Sequence, residues 1–139
     1  MSWQFIANGG NGLIYYTFER LIDEGGRHWE DYCTVAREVK SLEYILLSEP
    51  APNATSYPEL MSGRAWSHGG KTYLLVVNEN ERSRSADLTL SKRFLDVTAL
   101  KNLPTATRVA LNGNRLHVEM EPLGVAMLEL MDVINEKGK

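Results

Sequence analysis

The chain has 139 residues, a single cysteine and a formal net charge of −3. This length predicts one domain, or one domain with an appendage, and is enough to form a hydrophobic core without disulfides. A single cysteine excludes a disulfide within the chain. The weak acidity and the lack of a Lys/Arg cluster argue against nucleic acid or an anionic membrane as a partner. No apolar stretch approaches the roughly 20 residues of a membrane-spanning helix, and residues 1–4 do not resemble the start of a signal peptide.

Residues 1–49 are expected to form a helix–strand–helix segment. Three apolar residues at helical spacing predict a short first helix: Trp3, Ile6 and Ala7. The glycine- and asparagine-rich run 8–12 should end that helix. Residues 13–18 are apolar without alternation, which is typical of a strand that is buried on both faces.

The strongest periodic signal lies in residues 29–48, where apolar side chains recur every three or four positions. This spacing predicts a helix with one apolar stripe, formed by Trp29, Tyr32, Cys33, Ala36, Val39, Leu42 and Leu46. Residues 50–62 hold three of the five prolines and show no periodicity, so we expect a linker there.

From about residue 63 the hydrophobic period changes to two, and turn signals recur every 8–12 residues. Residues 63–131 are therefore expected to form an antiparallel β-sandwich of about seven strands, followed by a tail over 132–139. The fold class is α+β, a sandwich preceded by the helix–strand–helix segment. Five apolar residues should be buried together in its core: Leu75, Val77, Leu88, Val118 and Leu128.

The strand predicted over 13–18 raises a physical problem. Strands of that kind occur almost only in parallel sheets that are covered on both faces, and the sequence offers no second one. Either this strand joins the β-domain, or the chain is the end of a larger protein.

Residues 7–18 resemble the last strand region of a (β/α)₈-barrel glycoside hydrolase. In such enzymes a terminal helix follows, here 29–47, and then a small β-sandwich with a Gly-Lys turn into an apolar strand, here 70–78. A closing strand pair with a Pro-x-Gly turn completes the pattern, here 117–128. The resemblance covers nearly the whole chain and implies the C-terminal region of such an enzyme, with about seven barrel strands missing. The implied partner is the catalytic barrel of a parent protein, or another copy of the chain. The sequence leaves localisation open, since a parent could be periplasmic or secreted.

Glycoside hydrolysis usually needs two carboxyl groups about 5–10 Å apart, and barrel enzymes carry them at the C-terminal ends of strands. Glu19 directly follows the predicted strand 13–18, where the resemblance implies a substrate-facing residue. The alternative is a solvated loop carboxylate. Because the opposing strand ends are missing, we expect the isolated chain not to be catalytic, and we assign it no catalytic residue.

Other candidate chemistry is weaker. The three histidines lack the spacing of a metal pair, so no metal site and no cofactor are predicted. Cys33 lies on an apolar stripe and is expected to be a small buried side chain rather than a nucleophile. A Ser/His/Asp set can be assembled from any sequence of this size, and no G-x-S-x-G motif is present.

Exposed flat aromatic rings would indicate a carbohydrate-binding module instead. Trp66, in a short strand beside a turn, is the best candidate for exposure, although core packing is favoured over sugar contact at this position. A carbohydrate-binding module would have Trp66 and Tyr73 in its site. The leading hypothesis is a non-catalytic sandwich that stabilises or caps a barrel. The alternatives are an independent carbohydrate-binding module and a structural interaction domain.

Overall fold

The computed structural model describes residues 2–10, 27–51, 56–100 and 106–132. The predicted strand 13–18, the middle of the predicted linker and most of the predicted tail lie outside these residues. Within these described residues, three helices precede the sheets: α1 (Ser2–Ala7), α2 (Arg27–Ser41) and α3 (Glu43–Leu46). The strands are β1 (Glu49–Pro50), β2 (Met61–His68), β3 (Lys71–Asn78), β4 (Arg84–Thr89), β5 (Phe94–Ala99), β6 (Ala106–Asn112), β7 (Arg115–Met120) and β8 (Val125–Asp132).

The described strands form two antiparallel sheets, which confirms the predicted α+β class with a β-sandwich. The larger sheet has the order β1-β2-β3-β8-β5 and the smaller one the order β4-β7-β6. The turn at Gly113, whose φ is 64°, joins β6 to β7 in a two-residue hairpin, as the Asn-Gly signal predicts.

The space between the two sheets is filled by alternate side chains of their facing strands. Leu74 and Val76 come from β3, Leu88 comes from β4, and Leu116 and Val118 come from β7; each of these side chains is fully buried. This inter-sheet core follows directly from the period-two pattern of the sequence.

The larger sheet also buries its other face, under the helices. A second cluster joins Trp3 and Ile6 of α1 and Ile45 of α3 to Leu75 and Val77 of β3. The predicted core is therefore divided: Leu88, Val118 and Leu128 lie between the sheets, whereas Leu75 and Val77 lie beneath the helices. The expectation of one shared cluster was wrong because β3 is covered on both faces.

The helix predicted over 29–48 is present, but it is interrupted at Leu42. The Leu42 amide donates to the carbonyls of both Glu38 and Val39, each at 3.2 Å. Its backbone has φ −103° and ψ 5°, which lies outside the α region. The bend lets both Leu42 and Ile45 turn into the helix-covered core, where they are 2% and 0% exposed.

The segment predicted to be a linker contributes structure at both of its ends. Glu49 and Pro50 pair with Ser67 and Trp66 at the edge of β2, and β2 itself begins at Met61. Pro50 can occupy a strand here because β1 is an edge strand. The division of the chain into separate units at these residues remains a prediction.

Candidate functional site

A groove runs between the helices and the outer end of β2. Its volume is about 590 Å³, within the range of roughly 300–1,000 Å³ that is typical of ligand pockets. Val35, Ala36 and Val39 of α2 line it, together with Leu46 of α3 and Trp66 of β2. The groove is therefore mainly apolar, and its lining belongs to elements from both halves of the chain.

The α2 wall of the groove is only partly covered. Val35 and Val39 are half-buried, Ala36 is exposed, and Leu47 at the end of α3 is 73% exposed. Val35, Ala36 and Val39 share one side of α2, because positions three and four apart lie on the same face. An apolar helix face beside an open groove is the part of a fold that a further element normally covers.

The base of the groove is formed by β2. The guanidinium carbon of Arg64 lies 5.6 Å from the centre of the Trp66 ring, in the range of a cation–π contact. Gly9, with φ 99°, ends α1 beside this cation, and a Cβ there would lie 3.1 Å from Nη1 of Arg64. The positive φ and the close approach together explain why the chain has glycine at this position.

Polar contacts tie the helices to one another along the rim. The indole Nε1 of Trp3 donates to Oε2 of Glu38 at 3.3 Å, which joins α1 to α2. Lys40 forms an ion pair with Glu43 across the bend between α2 and α3. Trp29 and Tyr32 stack with their ring centroids 5.5 Å apart. The rim is thus held by contacts within the helical layer.

A cluster of polar side chains lies beside the groove, on the helix-covered face of the larger sheet. The Tyr73 hydroxyl donates to Oε2 of Glu129 at 3.1 Å, and Nζ of Lys71 lies 2.7 Å from Oε1 of the same carboxylate. Burial, with the neighbouring Glu129 carboxylate, raises the pKa of Tyr73 to about 12. Tyr73 is therefore neutral and acts as a hydrogen-bond donor at physiological pH.

The structure does not present the two predicted sugar-binding rings to solvent. Trp66 is 2% exposed and Tyr73 is 5% exposed. They are directly paired across β2 and β3, and the helical layer covers both, so the core alternative describes their packing. Glu19 lies outside the described residues. Carbohydrate binding by these three residues remains a prediction.

The groove was not predicted from the sequence, although the sequence contains the apolar stripe that forms its wall. The apolar stripe of residues 29–48 indicates one buried helix face, but a stripe does not reveal how much of it the same chain covers. Among the described residues, no group of three or more His, Cys, Asp or Glu side chains is arranged to hold a metal ion. In the same part of the chain, no helix has the length and apolarity needed to cross a membrane.

No protein-family model and no curated protein matches this chain. Among solved structures, it is similar to an isomaltulose synthase from Erwinia rhapontici NX5, with a TM-score of 0.37 and 14% identity over 79% of this chain and 19% of that chain. A variant of the same enzyme in complex with D-glucose gives a TM-score of 0.40 and 16% identity over 76% of this chain and 18% of that one. The chain thus spans less than a fifth of the length of these structures. A similarity at these values carries no inference about activity or substrate.

Proposed function

We propose that this chain is the non-catalytic C-terminal β-sandwich region of a glycoside-hydrolase-like protein, where it stabilises or caps a catalytic barrel. The observation that carries the proposal is the apolar face of α2 in the groove, which is only partly buried. The other two described helices, α1 and α3, pack their apolar side chains against the larger sheet. The sequence resemblance identifies α2 with the last helix of a barrel. Such a helix has barrel neighbours on one side and the sandwich on the other.

The apolar lining of the groove would supply the free energy of such a contact. Removing apolar surface from water stabilises an assembly by roughly 25 cal/mol per Å². Val35, Ala36 and Val39 offer such surface on consecutive turns of a helix that is already anchored to the sandwich through α3 and Trp3. A rigid, partly apolar face of this kind suits a permanent contact between domains better than a transient one.

The other hypotheses are less well supported. A carbohydrate-binding module needs flat rings in contact with solvent, and Trp66 and Tyr73 are both buried. Catalysis of glycoside hydrolysis by this chain alone would need a carboxylate pair at strand ends, which the sequence does not offer. We therefore expect the glycosidase chemistry to belong to the barrel.

The test uses an aryl glycoside panel and two forms of the protein. The chain alone should release no aryl alcohol above buffer, whereas a longer polypeptide that joins this chain to the proposed barrel should turn over at least one substrate. In that longer polypeptide, Ala36→Glu introduces a charge into the groove and should shorten the thermal half-life of activity without changing KM.

Thr34→Glu is the matched control, because it adds the same charge to α2 at an exposed position outside the groove. Equal half-lives for the two variants would contradict docking at the groove. Turnover by the chain alone at the rate of the longer polypeptide would contradict the non-catalytic role.

A further inference from the structure

A serine, a histidine and an aspartate interact in series on the outer face of the smaller sheet. Oγ of Ser85 lies 3.3 Å from Nε2 of His117, and Nδ1 of His117 lies 2.7 Å from Oδ1 of Asp87. A carboxylate only accepts hydrogen bonds, so Asp87 selects the tautomer of His117 that is protonated at Nδ1. In the neutral ring, Nε2 is then the acceptor for the Ser85 hydroxyl.

The strand register brings these side chains together. Ser85 and Asp87 are two residues apart on β4 and share a face, and their direct partners on β7 are Glu119 and His117. The Leu90 amide donates to the Asn114 carbonyl at 2.7 Å, one register step beyond the end of β4. Hydrogen-bonded and non-hydrogen-bonded pairs alternate along an antiparallel ladder, and Leu90–Asn114 is a hydrogen-bonded pair. Ser85 and Asp87 are an odd number of positions from Leu90, so their pairs are non-hydrogen-bonded, the type in which side chains come closest.

The same alternation directs the backbone of Ser85 and Asp87 away from β7. Their N–H groups point towards the outer edge of β4, which has no strand partner among the described residues. An N–H group that the ladder with β7 leaves unused, next to a serine hydroxyl, is the kind of donor that stabilises the oxyanion of an acyl-transfer intermediate. The hydroxyl, the orienting carboxylate and an oxyanion donor therefore belong to the edge strand β4, and the base lies directly beside them on β7.

We propose that Ser85, His117 and Asp87 form an acyl-transfer site for small carboxylic esters. Oγ of Ser85 attacks the ester carbonyl while its proton passes to Nε2 of His117, and the leaving alcohol departs with that proton. Water, deprotonated by the same nitrogen, then releases the carboxylic acid and regenerates Ser85. Asp87 positions the ring and stabilises its protonated form. This activity goes beyond the barrel-stabilising function, and its site lies on the opposite side of the sandwich from the groove.

The charged groups around His117 set the pH at which the site can act. Asp87 of β4 is the main group that raises the pKa of His117, and Glu119 of β7, at 3.5 Å from Nε2, raises it further. Nη1 of Arg108 on β6 lies 3.8 Å from Oε1 of the same Glu119 carboxylate. Only the neutral ring accepts the serine proton, so the acylation rate should increase as the pH rises through the raised pKa.

The test is the reaction of the full chain with 4-nitrophenyl acetate, followed by 4-nitrophenolate release and by peptide mass mapping. We expect one acetyl group on the peptide that contains Ser85. General-base catalysis contributes roughly 10²- to 10⁴-fold, so Ser85→Ala and His117→Gln should each lower the rate at least about tenfold. Thr89→Ala, on the same strand face outside the cluster, should leave the rate unchanged.

Asp87→Asn separates positioning from simple structural support. Loss of the carboxylate should lower the plateau rate and move the midpoint of the pH–rate profile to lower pH, because the largest cause of the raised pKa is gone. Acetylation confined to lysines, or a Ser85→Ala rate equal to that of the unmodified chain, would overturn the proposal. Either result would leave the barrel-stabilising function intact, since the glycoside and half-life assays do not involve this face.

Discussion

Two adjacent leucines of β3 test whether the helices and the sandwich share one fold. Leu74 and Leu75 are both 0% exposed, but Leu74 faces the other sheet and Leu75 faces the helices. Leu74→Ala removes packing that any sandwich would have. Leu75→Ala removes packing that exists only if α1 and α3 cover the sheet.

The expected losses follow from full burial at both positions. Burying a leucine side chain contributes about 1.5–3 kcal/mol, and the cavity left by truncation raises the total to about 2–5 kcal/mol. With 139 residues and about 2.1 cal/mol/K of unfolding entropy per residue, a loss of about 3 kcal/mol lowers Tm by roughly 10 °C.

Urea denaturation gives both the magnitude and the cooperativity. Two of the three tryptophans, Trp3 and Trp66, lie in the helix-covered core, so tryptophan fluorescence reports mainly on that core while far-UV circular dichroism reports on the whole fold. We expect coincident transitions and similar losses for both variants. Leu47→Ala, at a position 73% exposed, is the matched control and should cost little. A Leu75→Ala loss below about 1 kcal/mol, with a full Leu74→Ala loss, would refute the packing of the helices on this face.

Two further changes test the sheet geometry and its charges. Gly63→Ala should cost roughly 1–3 kcal/mol of stability, because a Cβ there would lie 2.3 Å from both the Leu75 carbonyl oxygen and the Tyr57 hydroxyl; a neutral effect on the urea midpoint would contradict this close approach. The Asp87 carboxylate raises the pKa of His117 above its ordinary value of 6.5, so the stabilisation is full below that value and is lost as the pH rises through the folded-state pKa. His117→Gln should therefore destabilise the chain more at about pH 6 than at about pH 9, and a pH-independent difference in unfolding free energy would contradict the Asp87 contact.

The strands could be predicted from the sequence because the patterns that identify them involve only residues close together in the chain. Alternation in 84–90 and 115–120, and the Asn-Gly turn at Gly113, each identify an element without knowledge of its neighbours. The short helix at Trp3 was also predicted from spacing alone and is confirmed. Its packing on β3 depends on residues about 70 positions away, which no local pattern contains.

The sites could not be predicted for the same reason. Trp66 follows a pattern that suits either an exposed ring or a buried one, and the covering helices decided between them. Ser85, Asp87 and His117 are individually ordinary surface residues, and only the register of β4 against β7 joins them. Contacts between residues that are far apart in the sequence therefore determine both sites: helix packing determines the groove, and strand register determines the polar cluster.

Sedimentation velocity of the chain at rising concentration tests the central claim most directly, namely that the groove is a docking surface. An apolar face without the proposed barrel should associate with another copy of the chain, so the mean sedimentation coefficient should rise with concentration. Ala36→Glu should abolish that rise, and Thr34→Glu should preserve it. A wild-type chain that stays monomeric throughout, or a rise that Ala36→Glu leaves unchanged, would contradict the assignment of the groove.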